Sequence, residues 1–146
     1  MLRPIFSLAT AVLLATPLAA QNMTSRTVEE SLDDMEFALE SAILDMGLTI
    51  DFVSHSGEML ERTREDVGSD VVLFSGATIY NFCSATVSRQ VIEADINNII
   101  YCPYSIFVYA TPDNPDVSII GHQLYPGDTM KPANDLLDTI IENATQ

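Results

Sequence analysis

Apolar residues first recur at spacings of three and four, at Val28, Leu32, Met35, Leu39, Ile43 and Met46. That pattern predicts one buried face of a long amphipathic helix. Thr27 is the expected N-cap, and Glu30, three positions on, completes a capping box. Glu29, Asp33, Asp34, Glu36 and Glu40 fall largely off the apolar face, and Gly47 supplies a left-handed stop. Methionines at this spacing read as core rather than as a ligand face. Ahead of the helix, Gln21 to Arg26 is polar and predicts a mobile lead-in with at most a short edge strand.

The period changes at Leu48. Leu48, Ile50 and Phe52 alternate with polar or smaller residues, predicting a strand to His55 with Asp51 on its other face. Ser56 is placed to cap a second helix over Gly57 to Val67, with Met59, Thr63 and Val67 inward and Gly68 at its end. Val71 to Phe74 is a continuous apolar run before Ser75-Gly76, as in a central strand, and Thr78 to Phe82 extends it. A helix is expected from about Ser84 to Ala94, with Ala85, Val87, Val91 and Ile92 inward, and Asp95 to Asn98 breaks it. Ile99 to Ala110 returns to strand. Ile106, Val108 and Ala110 share one face, and Phe107 and Tyr109 the other. Pro103 lacks an N–H and marks the strand's beginning or an edge. The turn at Thr111 to Asp116 leads to a hairpin partner, Val117 to Leu124. A loop, Tyr125 to Pro132, precedes a last helix, Ala133 to Asn143, carrying Leu136, Leu137, Ile140 and Ile141. The order is helix, strand, helix, strand, helix, hairpin, helix, with no internal repeat. The economical packing is an α+β two-layer sandwich, a small mixed sheet with helices packed against it.

The first twenty residues stand apart. Arg3 precedes an apolar run from Ile5 to Ala15, then Pro17 and the small residues Ala19-Ala20. This is the layout of a secretory signal peptide, and the run is too short to cross a bilayer core of ~30 Å. The expected organisation is a leader over residues 1–20 and one domain over 21–146, in a periplasmic or secreted protein with no membrane span after cleavage. With 21 acidic residues against 6 Lys and Arg, the formal charge is −15. Losing Arg3 with the leader would make it −16 (−15 minus one positive charge). So acidic a chain repels nucleic-acid phosphates and anionic lipid, so nucleic acid is not an expected partner.

Candidate chemistry gathers in one stretch, Asn81 to Tyr104, which holds both cysteines, Cys83 and Cys102. An even count in an exported protein points to a disulfide. Closing the loop between them would stabilise the fold by ~3 kcal/mol in the chain-entropy picture. The alternative is a redox-active pair. Cys83 lies at a predicted helix N-terminus, where the dipole lowers a thiol pKa, and Arg89 follows one and a half turns later. No C-x-x-C occurs. His55, His122 and the cysteines are suitable metal ligands, but their spacing matches no metal or haem motif, so neither a metal nor another cofactor is expected. Asp113 and Asp116 lack calcium-loop spacing. Ser84 and Ser88 lack a G-x-S-x-G context, and Ser84 fits a helix cap. Tyr80, Tyr101, Tyr104 and Tyr109 suit sheet packing.

Several segments together resemble the family called domain of unknown function 302. They are Thr27-Val28-Glu29-Glu30 before a helix ending at Gly47, Ile50 to His55, and Val72-Leu73-Phe74-Ser75-Gly76. Most specific are Phe82-Cys83-Ser84-Ala85, Ser88-Arg89, and Cys102-Pro103-Tyr104 leading to Ile106, Val108 and Tyr109. The cysteine pair makes the chain look like a secreted branch of that family. The resemblance implies a compact α+β domain, often a homodimer, and no established activity, so no catalytic residue is carried over. Phe74-Ser75-Gly76-Ala77 departs from the family's Phe-Gly-Asn-Pro. Gly121-His122-Gln123 replaces basic residues on which an anion-binding role would rest. With no complete catalytic set, the expectation is a non-enzymatic binding or interaction domain. It would recognise a small ligand or protein partner near Ser84, Ser88, Arg89 and Tyr104. The alternative is a thiol-disulfide redox protein using Cys83 and Cys102.

Overall fold

Alternating apolar residues need a second layer to bury against, and the chain supplies it with helices packed against a single sheet. The computed structural model describes residues 22–146; the leader expected over residues 1–20 lies outside them. Strands β1 (Met23–Val28), β2 (Thr49–Ser54), β3 (Gly76–Cys83), β4 (Tyr104–Thr111) and β5 (Asn114–Gln123) pair in the order β1-β5-β4-β3-β2. Helices α1 (Leu32–Asp45) and α4 (Lys131–Ala144) pack on each other and on the sheet, α3 (Ala85–Ala94) packs on α4, and α2 (Ser56–Thr63) abuts β3. This is the expected two-layer sandwich. Its sheet is wholly antiparallel rather than mixed. The excursion through α3 leaves and re-enters the sheet at the same end, with Phe82 opposite Tyr104, so β4 runs back along β3.

The core forms where the predicted periodicities hold. Met35, Leu39 and Ile43 on α1 are fully buried against Phe82, Ile106, Val108 and Ile120 of the sheet and Leu137 and Ile140 of α4. Ile106, Val108 and Ala110 alternate inward along β4 as expected.

Several places differ from the expected elements. Helix α1 starts at Ser31, whose Oγ accepts from the Asp34 N–H at 3.2 Å. Thr27 and Val28 belong to β1 instead, because they pair with Ile119 and Ser118. In β2 a bulge between Ile50 and Phe52 reverses the alternation. Phe52 faces solvent, and Val53 lies opposite Tyr80. Helix α2 ends at Thr63, with Ser56 as its first residue rather than its cap. Val71 to Leu73 form no strand and are exposed. Pairing begins only at Ser75–Ala110 and Gly76–Ala110, since β4 ends at Thr111 and leaves the earlier residues no backbone partner. Finally, Ile96–Tyr101 is a 3-10 turn with Ile96, Ile99 and Ile100 exposed, and β4 begins at Tyr104, just after Pro103.

Candidate functional site

The excursion between β3 and β4 places its two ends side by side, and with them the two cysteines. Cys83 closes β3 and Cys102 follows the 3-10 turn. Their sulfurs are 3.1 Å apart, both as free, half-buried thiols. Ser84 N-caps α3, its buried Oγ accepting from the Val87 N–H. One turn on, Ser88 places its Oγ 3.3 Å from Cys102 Sγ and 3.3 Å from the Tyr104 hydroxyl, to which it donates.

Of the residues expected at a ligand or partner site, Ser88 and Tyr104 therefore join the cysteines. Ser84 is occupied by its capping bond. Arg89 is turned outward, with 79% of its side chain exposed, and its Nε donates to Glu93 at 2.6 Å.

The electrostatics reverse the expectation for Cys83. Burial comes first, then the hydrogen bond with Cys102 and the nearby Asp51 carboxylate, and together they push the Cys83 thiol up to about 12. The helix dipole does not compensate. Asp51, at the β2 bulge, was visible in sequence only as a residue on the strand's other face. Burial also raises the Tyr104 and Tyr125 phenols, with the Ser88 bond acting the other way on Tyr104. Tyr125 comes from a loop, and its ring lies 5.0 Å from that of Tyr101 and 5.9 Å from that of Tyr104. Aromatic content alone gave no sign of that cluster.

A second feature lies on the sheet face away from α1 and α4. Phe107, halfway along the central strand β4, stands between two open grooves. One, of about 460 Å³, is lined by Met23, Phe74, Ile79, Phe107 and Tyr109. The other, of about 430 Å³, is lined by Met23, Ile79, Ser105, Phe107 and Gln123. Gly121 makes room for the ridge, since a Cβ there would sit 2.7 Å from Phe107 Cζ. Tyr109 stacks on Phe107 at 6.0 Å and meets Phe74 edge-on at 5.3 Å. The alternation and register place Met23, Ser25, Thr27, Ile119, Phe107, Ile79 and their paired neighbours on this face. Among the described residues, the paired outward positions of β1, β5, β4 and β3 carry no Asp, Glu, Lys, Arg or His.

Two other places are already occupied by internal contacts. His122 is fully buried, with Nε2 3.1 Å from Asp138 and Nδ1 2.8 Å from the Gln123 carbonyl. A cleft of about 190 Å³ under α2 has Arg64 in its wall, but that guanidinium already donates to Glu61 and the Ser69 carbonyl.

No family model matches the chain, and no curated protein matches it. A solved structure does. It is the uncharacterized conserved protein DUF302 from Bacillus stearothermophilus, 14% identical, over 87% of this chain and 100% of that one, with a TM-score of 0.66. Across most of its length, the chain has the fold of a DUF302 protein.

Proposed function

We propose that this chain is a non-enzymatic interaction domain whose open sheet face takes a second copy of itself. The observation that carries the reading is the uncharged apolar face centred on Phe107. In a chain of formal charge −15, like charges repel any two copies that meet elsewhere. Here two copies can meet without juxtaposing them. A ridge flanked by grooves on the central strand suits a two-fold contact, in which each Phe107 fills a groove of the other copy. The four strands β1, β5, β4 and β3, of 6 to 10 residues, span roughly 500 Å² in projection. Side-chain relief adds to that, approaching the ~800 Å² each partner brings to a stable interface. The leader-like first twenty residues support a periplasmic or secreted location for this assembly.

Sedimentation velocity tests the reading. A dimer is expected at concentrations on the order of 100 µM, and Phe107→Asp should give a folded monomer with unchanged far-UV circular dichroism. A wild-type protein that stays monomeric at that concentration defeats it, and points instead to a different protein or a small ligand.

A second reading has its own support in the 3.1 Å approach of Cys83 and Cys102, which suits a thiol-disulfide redox site. Mass measurement with and without reductant, followed by redox titration, separates the cases. A bridge reduced only below about −300 mV is structural, and one reduced at higher potential belongs to a redox protein.

A further inference from the structure

The polar groups around the two sulfurs differ, and the difference assigns them separate tasks. We infer that Cys102 is the sulfur through which the pair exchanges with external low-molecular-weight disulfides. Cys83 is then the resolving thiol, and Ser88 a positioning hydroxyl. The inference rests on the redox reading of the pair.

A serine hydroxyl carries one hydrogen and accepts through its oxygen. In the resting thiol state Ser88 donates to Tyr104, so its oxygen faces the Cys102 S–H at 3.3 Å. When Cys102 loses its proton the chain can reverse. Tyr104 then donates to Ser88, and Ser88 donates to the thiolate, a charge-assisted bond that favours the ionised form. Tyr104 keeps the hydrogen this needs, because burial raises its pKa. Cys83 has the opposite surroundings. Its polar neighbours are the Cys102 thiol and the Asp51 carboxylate, which, with burial, disfavour a thiolate there. Both cysteine residues are only partly buried, which leaves the pair within reach of an incoming disulfide.

The chemistry closes in two exchanges. The Cys102 thiolate attacks one sulfur of the external disulfide. That S–S bond breaks, one small thiolate leaves, and a mixed disulfide remains on Cys102. Cys83 then gives its proton to solvent and attacks the Cys102 sulfur, expelling the second small thiolate. Two protein thiols are oxidised, and one external disulfide is reduced to two thiols. The sulfurs need to close by about 1 Å to reach bonding distance.

Oxidised glutathione is the probe, applied to the full chain carrying single substitutions. Cys83→Ser should trap a mixed disulfide, a mass gain of about 305 Da. Cys102→Ser should react at least roughly tenfold more slowly. Placing Ser88→Ala in the Cys83→Ser background should move the pH–rate profile to higher pH, and Ser88→Thr should restore it. Equal rates for the two cysteine variants overturn the assignment of Cys102 while leaving the redox reading standing. An unmoved pH profile removes Ser88 from the mechanism. A wild-type protein that keeps both thiols free under the same treatment defeats the redox reading itself, even if the Cys83→Ser variant forms the mixed disulfide.

Discussion

Cys83 stands immediately before the N-cap of α3, where the helix dipole favours a thiolate. The structure gives the larger effect to burial, the Cys102 contact and Asp51, and the thiol rises from 9 to about 12. The consequence for stability has a definite sign. Between about pH 9 and 12 the folded, reduced protein keeps this proton while the unfolded chain has released it. The contribution is fully present below pH 9 and is lost as pH rises through that window. Urea unfolding of the reduced protein at about pH 8 and about pH 11 should show the loss, and Cys83→Ala should show less of it. Identical pH slopes for the two proteins would mean that the folded thiol titrates normally. Tyr80, lifted from 10 to about 12 by burial and then by Glu36 and Glu40, adds to the same decline, and Tyr80→Phe removes its share. That the two cysteines meet was suggested in sequence by their even count, and Ser84 as a cap by its place before a helical run. The neighbours that set the thiol's chemistry were not, because Asp51 is placed by a bulge, and Ser88 meets Tyr104 only through the antiparallel return of β4.

Elements whose own periodicity met a matching partner were read correctly. The capped start of α3, the inward alternation of β4, the hairpin and α4 needed no information beyond the chain's local pattern. Two failures share a cause, namely pairing that local sequence does not reveal. Thr27 with Glu30 and Ser31 with Asp34 both resemble helix starts, and strand β1 decides between them by claiming Thr27 and Val28 for β5. Val71 to Leu73 look like a central strand but have no strand edge to join. The choice of cap is measurable. Ser31→Ala should cost about 1 kcal/mol in denaturant unfolding, and Thr27→Ala no more than about 0.5 kcal/mol. The reverse order would put the helix start back at Thr27. Leu39→Ala, at a fully buried site between α1 and the sheet, should cost ~2–5 kcal/mol. Gly57→Ala should also destabilise, because its Cβ would come within 2.5 Å of the Ala77 backbone nitrogen where α2 abuts β3. Neither helix periodicity nor strand alternation could show that approach.

At the scale of the whole molecule, charge and apolar surface are segregated. The helices carry acids on their exposed sides, as at Asp33, Asp34, Glu93 and Asp135, while the paired open face around Phe107 carries none. Two copies meeting through that face therefore gain apolar burial and are opposed mainly by the long-range repulsion of their net charges. Salt acts on these terms unequally. Added ions screen the repulsion, with a Debye length that falls to ~8 Å at about 0.15 M, and leave apolar burial nearly untouched. Self-association should strengthen as sodium chloride rises from about 20 mM to about 300 mM, seen as a lower dimer dissociation constant in sedimentation equilibrium. Phe107→Asp should remain monomeric throughout that range, since it puts a like charge at the centre of the contact. A dissociation constant that rises with salt would instead mean that opposite charges hold the copies together. Among the described residues none of the basic side chains sits at a paired outward position of β1, β5, β4 or β3; they would then mark the contact, and the sheet face would be free for another partner.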